Sequence, residues 1–141
     1  MVAIVIADAS PLIALARVDG LGWLQALFHE VLTGSFAASE ACIEQAIAAG
    51  WLRAVPCALN APPLPDLDEG EAASIRLALA FGGETLLLID ERAGRAVAQE
   101  LGLQVAGTAA VIGLAKQNGL IASARSVFAE LHASDSALLQ P

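Results

Sequence analysis

Two short aliphatic runs in this chain stop on an aspartate: VAIVIAD (2–8) and TLLLID (85–90). Near-continuous apolar runs bounded by turn signals read as strands buried on both faces, as in a parallel sheet. In open α/β sheets the chemistry sits in the crevice outside the carboxyl ends of the strands. Carboxylates gathered there have one obvious use, which is to hold a hard divalent cation through oxygen. Asp8 and Asp90 are therefore the first candidates. Each has a plainer alternative: Asp8 as an Asx-turn or helix cap, Asp90 as the N-cap of the helix that follows it. Glu40 shares one helical face with Phe36, Ile43 and Ile47. A glutamate in such a stripe costs free energy unless it is paired or binds metal; the alternative is a stripe that frays and leaves Glu40 half-exposed. Glu71 continues the stripe of Ile75 and Leu79, at the helix end that shares a sheet edge with Asp8 and Asp90 in a βαβ unit. Asp68-x-x-Glu71 also has the spacing of a capping box. Glu91 falls in a helical first turn, where negative charge is favoured by the dipole. Arg92 and Arg95 come next, suited to contacting phosphate or to forming a solvated helix face.

The elements that must position these groups follow from periodicity and punctuation. A strand over 2–8 leads into Ser10-Pro11, a helix N-cap with proline at the first helical position, ahead of LIALAR. Asp19-Gly20 makes a turn and LGWLQALF a short helix. HEVLT (29–33) reads as strand, 36–49 as helix ended by Gly50, and WLRAVP (51–56) as strand. A proline-rich loop covers 58–67. The spacing predicts a helix over 69–81, started by Asp68 and stopped by Gly82-Gly83. The strand 85–90 precedes a helix over about 91–101, ended by Gly102. LQVAG is a short strand, Thr108 caps a helix to about 117, and a last helix covers 122–132. Strands alternating with helices point to a parallel α/β sheet.

Composition narrows the class. The 141 residues are expected to form one domain, 57% hydrophobic with a mean hydropathy of +0.66. No apolar run reaches the roughly 18 residues of a membrane span, and Asp8 interrupts the N-terminal run, so neither a span nor a signal peptide is expected. The apolar excess either covers a sheet on both faces or feeds an oligomer interface. A net charge of −8 argues against bulk binding of nucleic acid. A polynucleotide substrate would need metal ions or a basic partner to offset the repulsion, and an acidic surface suits a basic protein partner. Cys42 and Cys57 lack metal or redox spacing and suggest a cytoplasmic chain. His29 and His132 are isolated, and Trp23 and Trp51 read as core residues. There is no P-loop, G-x-G-x-x-G, zinc spacing or G-x-S-x-G.

An ordered set of segments then carries a family likeness: IADASPLIALARV at the start, the stretch around Glu40, DLDEGEAASI (66–75), LLLIDERAGRAVAQELGLQVAGTAAVIGLAKQNGLI (86–121) and the closing helix. From Val2 to about Leu131 the chain resembles the PIN-domain ribonucleases. Within them it is similar to a branch of uncharacterised prokaryotic PIN-like proteins related to VapC-type toxins of type II toxin–antitoxin systems. It departs from the usual pattern before the second acid, where Gly34 and Ala37 stand in place of a proline and a larger apolar residue. The resemblance implies a three-layer α/β/α fold with a central, mainly parallel sheet of four or five strands. That domain would cover 1–133, with a short tail at 134–141. It implies Mg²⁺ or Mn²⁺ held by Asp8, Glu71 and Asp90, with Glu40 as a fourth catalytic acid and Glu91 as an extra. Ser10 and Thr108 would orient a carboxylate, a metal-bound water or a phosphate. An RNA substrate, a homodimer, a small basic antitoxin and a cytoplasmic location are implied as well. The expected chemistry is metal-dependent phosphodiester hydrolysis. Two rivals remain open. One is a non-catalytic interaction module whose acids are caps and whose apolar surface serves a homodimer or an antitoxin. The other, less favoured, is a metal-dependent phosphatase with Asp8 as nucleophile, which lacks the usual second aspartate two residues on.

Overall fold

Short Val-, Ile- and Leu-rich runs build the middle of the molecule. In the computed structural model, which describes residues 4–34, 41–55, 67, 69–81 and 84–139, they form β1 (Ile4–Ala7), β2 (Val31–Gly34), β3 (Leu52–Val55), β4 (Thr85–Leu88) and β5 (Gln104–Ala106). All pair in parallel, in the order β3-β2-β1-β4-β5. The described helices are α1 (Ala9–Arg17), α2 (Leu21–Phe28), α3 (Ala41–Ala49), α4 (Glu69–Phe81), α5 (Arg92–Glu100), α6 (Thr108–Gln117) and α7 (Ala124–Leu139). None is long and apolar enough to cross a membrane.

Side chains alternate across the sheet and feed two separate cores. Val5 and Ala7 of β1, Val31 of β2 and Leu88 of β4 face a cluster with Leu12, Leu15, Leu24, Ile43, Val111, Ile112 and Val127. Ile6, Leu32 and Leu87 face the other way, against Ile75, Leu77 and Ala78 of α4 and Ala98 of α5. Helices α1, α2, α3, α6 and α7 thus cover one face, and α4 and α5 the other, giving a three-layer α/β/α domain. Burial follows position: β1, β2 and β4 are almost wholly buried, while β5 at the edge shows Gln104 to solvent.

Most element positions match the sequence pattern, and the differences have local causes. Helices α2 and α4 have the expected bounds. The second strand begins at Val31 rather than His29, because His29 has φ 66 and the Glu30 N–H bonds to the Phe28 carbonyl at 2.8 Å, closing a tight γ-type turn. Asp8 rather than Ser10 occupies the N-cap position of α1, and Ser10 lies exposed inside the helix. Gly102, at φ 84, ends α5 in a left-handed conformation that suits glycine. Helix α7 continues to Leu139, through most of the segment expected as a tail. Ile43 is fully buried and Ile47 packs beside it, as the stripe of α3 requires. Phe36, Glu40, Asp68, Gly82, Gly83 and the 58–66 loop lie outside the described residues.

Neighbouring residues of a strand buried on both faces should be equally costly to truncate. Leu87→Ala and Leu88→Ala are each expected to lose about 2–5 kcal/mol, read from urea midpoints at unchanged slope. A cost confined to one of them would contradict a sheet covered on both sides.

Candidate active site

The strand order places the two aspartate-bearing strands side by side. The chain lays β2 and β3 on one side of β1, then returns to add β4 and β5 on the other. The gap between β1 and β4 is the topological switch point, where open α/β sheets open their crevice. Ala7 pairs with Leu88, and the ladder runs one step further through the Asp8 N–H, which bonds to the Leu88 carbonyl at 2.8 Å. The Ile89 N–H does the same to Ala106 at 2.9 Å. Asp8 and Asp90 therefore leave the sheet at one edge, as their strand-ending positions suggest.

Alternation then sends them to opposite layers. Ala7 faces the α1–α6 side, so Asp8 turns toward α4, where its Oδ1 accepts a 2.8 Å hydrogen bond from the Ser74 hydroxyl. Asp8 is 4% exposed and Ser74 3%; the same hydroxyl lies 3.0 Å from the Gly70 carbonyl. Although Asp8 stands at the N-cap position of α1, its side chain makes no capping bond. The cap reading of Asp8 therefore describes its position and not its chemistry.

Asp90, half-buried, turns toward α6. The Thr108 backbone N–H donates to its Oδ1 at 2.7 Å, and the Thr108 hydroxyl donates to its Oδ2 at 2.6 Å. An anion receiving the N–H of a first helical turn is favoured by the free donors and the helix dipole there. The N-cap of α5 is Glu91, not Asp90, and the N-cap of α6 is Gly107, not Thr108. Asp90 caps a helix, but the one two elements later. Gly107 is extended at φ −114, so space rather than conformation explains it: a Cβ there would lie 2.7 Å from Asp90 Oδ1.

Glu71, in the first turn of α4, is 7% exposed. Its Oε2 is buried and accepts no hydrogen bond, although the side chain as a whole is engaged by its surroundings. Helix α5 crosses it at Gly94, where a Cβ would meet Glu71 Oε2 at 2.8 Å and Ile89 Cδ1 at 2.7 Å. The expected stripe runs through Ile75, fully buried, but not to Leu79, which is 41% exposed. Glu91 is exposed and makes no side-chain cap bond. Arg92 and Arg95 are exposed and line a groove with Asp90. Glu40 lies outside the described residues. Ser74 went unnoticed in the sequence; its only signal is a hydroxyl three residues after Glu71, on a helix side otherwise filled by alanine and aliphatic residues.

Among the described residues, no three Asp, Glu, His or Cys side chains converge closely enough to hold a metal ion. The divergence of Asp8 and Asp90 toward Ser74 and Thr108 accounts for that spread. In kind the donors do suit Mg²⁺ or Mn²⁺, being carboxylate oxygens at one edge. Gly94 and Gly107 leave bare the space that Glu71 and Asp90 occupy.

A parallel α/β/α domain with carboxylates at the switch point of its sheet has the architecture of open α/β folds, which bind their ligands in that crevice. A family profile described as a PIN domain (DUF3368) matches residues 4–139, and the chain belongs to that family. PIN domains are typically nuclease folds. Among solved structures the fold is similar to a PilT N-terminus domain protein from the hyperthermophilic archaeon Sulfolobus solfataricus P2. The TM-score is 0.56 at 15% identity, over 77% of this chain and 89% of that one. No curated protein matches the chain at a significant level.

The Thr108 clamp on Asp90 is open to a direct check. Thr108→Val keeps the backbone bond and removes the hydroxyl, and is expected to cost about 1–3 kcal/mol, whereas Thr108→Ser should stay near wild type in the same denaturant titration. A silent Thr108→Val would show that the hydroxyl does not hold the carboxylate.

Proposed function

We propose that this chain is a metal-dependent ribonuclease, hydrolysing the phosphodiester bonds of RNA at the edge between β1 and β4. The observation that carries this reading is the β1–β4 register, which sets Asp8 and Asp90 at one edge, with Glu71 one turn before Ser74, the partner of Asp8 on α4. Membership of a typically nucleolytic family supports it. Like-charged carboxylates at one site raise the cost of ionising all of them, so a cation is the natural counterpart. When bound, Mg²⁺ or Mn²⁺ would neutralise the scissile phosphate and lower the pKa of a coordinated water.

The residues divide the remaining work. Asp8 and Asp90 are the principal ligands, each presented by a central strand. Ser74 and Thr108 fix the orientation of those two carboxylates, as outer partners of metal ligands do. Glu71 completes the ligand set or orients the attacking water. Glu40 is the fourth acid of this reading. Hydrolysis adds the water oxygen to phosphorus and expels the ribose oxygen, which takes up a proton, leaving a phosphate monoester and a hydroxyl.

The test is a titration of Mn²⁺ followed by thermal unfolding, then incubation with an end-labelled RNA pool. Ligand at a hundred times its Kd stabilises the native state by about 2.7 kcal/mol. The wild type is expected to melt higher with Mn²⁺ and to cleave RNA. Asp90→Asn and Asp8→Asn should lose both the shift and the cleavage, and Ser74→Ala should weaken Mn²⁺ binding by about tenfold. No shift and no cleavage in the wild type would overturn the ribonuclease and favour a non-catalytic interaction module. A phosphorylated Asp8 would favour the phosphatase instead.

A further inference from the structure

Two of the described glycines have a carboxylate oxygen where a side chain would start. At Gly107 it is Asp90 Oδ1, and at Gly94 it is Glu71 Oε2, 2.8 Å from the position of a Cβ. Gly50, Gly102, Gly113 and Gly119 have open space there. Gly94 calls for its own explanation, because glycine inside a helix is less stable than alanine and its φ is not left-handed. It is the third residue of α5 and, with Ala98, one of the two buried positions of that helix. The two are four residues apart and share one face. Helix α5 therefore lies down on its neighbours with almost no side chain between. Beneath Gly94 are two groups: Ile89, whose Cδ1 is 2.7 Å from the Cβ position, and Glu71, which is 7% exposed. Packing against Ile89 alone would be a structural reason for the glycine. The carboxylate gives it a chemical one.

The close approach does two things to Glu71. Gly94 stands in the first turn of α5, where the helix dipole and the N–H groups without intrahelical partners favour negative charge. The start of α6 meets Asp90 in the same way. The backbone of α5 and the end of Ile89 also close one side of the carboxylate, which removes rotamers from a long side chain. A ligand side chain that is ordered before its cation arrives gives up less entropy on binding. We propose that Gly94 is a positioning residue: its missing side chain lets the first turn of α5 close on Glu71 and set that carboxylate for the reaction. The inference rests on the ribonuclease reading, in which Glu71 holds the cation or orients water, and adds the residue that places it.

The experiment separates Glu71 from Ile89. In an Ile89→Val background, which removes the Cδ1, Gly94→Ala is made once with Glu71 present and once together with Glu71→Ala. In metal-free thermal melts Gly94→Ala is expected to lower the melting temperature by a few degrees in the first case. In the second it should raise it, because the new methyl meets no carboxylate and the helix gains an alanine. Loss of the free Mn²⁺ EPR signal then reports affinity. Gly94→Ala in the same background is expected to weaken Mn²⁺ binding by about tenfold, and Glu71→Asp, one methylene shorter, should restore most of that loss in the same chain. Gly113→Ala, in open space on α6, should change Mn²⁺ affinity less than about twofold. An equal fall in melting temperature with and without Glu71 would overturn the contact. Unchanged Mn²⁺ affinity, or a loss that Glu71→Asp does not restore, would overturn the positioning and leave only packing. A wild type that neither binds Mn²⁺ nor cleaves RNA would overturn the ribonuclease reading itself, and the metal-free melts would then decide the contact on their own.

Discussion

The parallel pairing of β1 with β4, with Ala7 opposite Leu88, is the constraint from which the candidate site follows. Both strands are buried on both faces, so a slip of one residue would exchange every side chain between the two cores. Val5 and Leu88 belong to one cluster, Ile6 and Leu87 to the other, and those assignments cannot be traded without burying the wrong shapes. The register is thus determined by packing along the strands, well away from the acids. The aspartates inherit their placement from it.

That placement creates a second problem, which the helices solve. A carboxylate at the end of a buried strand is drawn partly or wholly out of water, so it needs donors from elsewhere. Asp8 finds one on α4 and Asp90 finds two at the start of α6. Because adjacent residues of a strand face opposite ways, and the two aspartates sit one step apart in register, the donors come from opposite layers of the domain. Both layers are thereby tied to the same edge. The tight crossing of α5 over Glu71 at Gly94 belongs to the same economy of space, since a side chain there would push against a buried carboxylate and a fully buried isoleucine.

How much of this was legible in the sequence depends on how local each cause is. Aliphatic runs ending on Asp8 and Asp90 declare strands and their ends, because burial on both faces leaves no polar alternation. Glycine stops such as Gly102 are equally local. The failures share one form, a local rule displaced by a distant partner. Ser10 and Thr108 have the chemistry of caps, but Asp8 takes the capping position at α1 and Gly107 that at α6, while the Thr108 hydroxyl goes to a strand end 18 residues back. Asp90 reads as a cap from its position, and it serves α6 rather than the helix beside it. Ser74 meets an aspartate 66 residues away, and no periodicity within α4 distinguishes it from the alanines around it.

Charge shows the same contrast between average and local. A net charge of −8 disfavours polyanions when it is taken as a property of the whole chain. Screening, however, confines the effect of exposed charges to about 8–10 Å, so what a phosphate meets is the composition of the edge it approaches. At this edge two of the seven basic residues line one groove with Asp90. A divalent ion and two guanidiniums would offset the charge of Asp8, Glu71, Asp90 and Glu91 and bring the edge near neutrality in an acidic molecule.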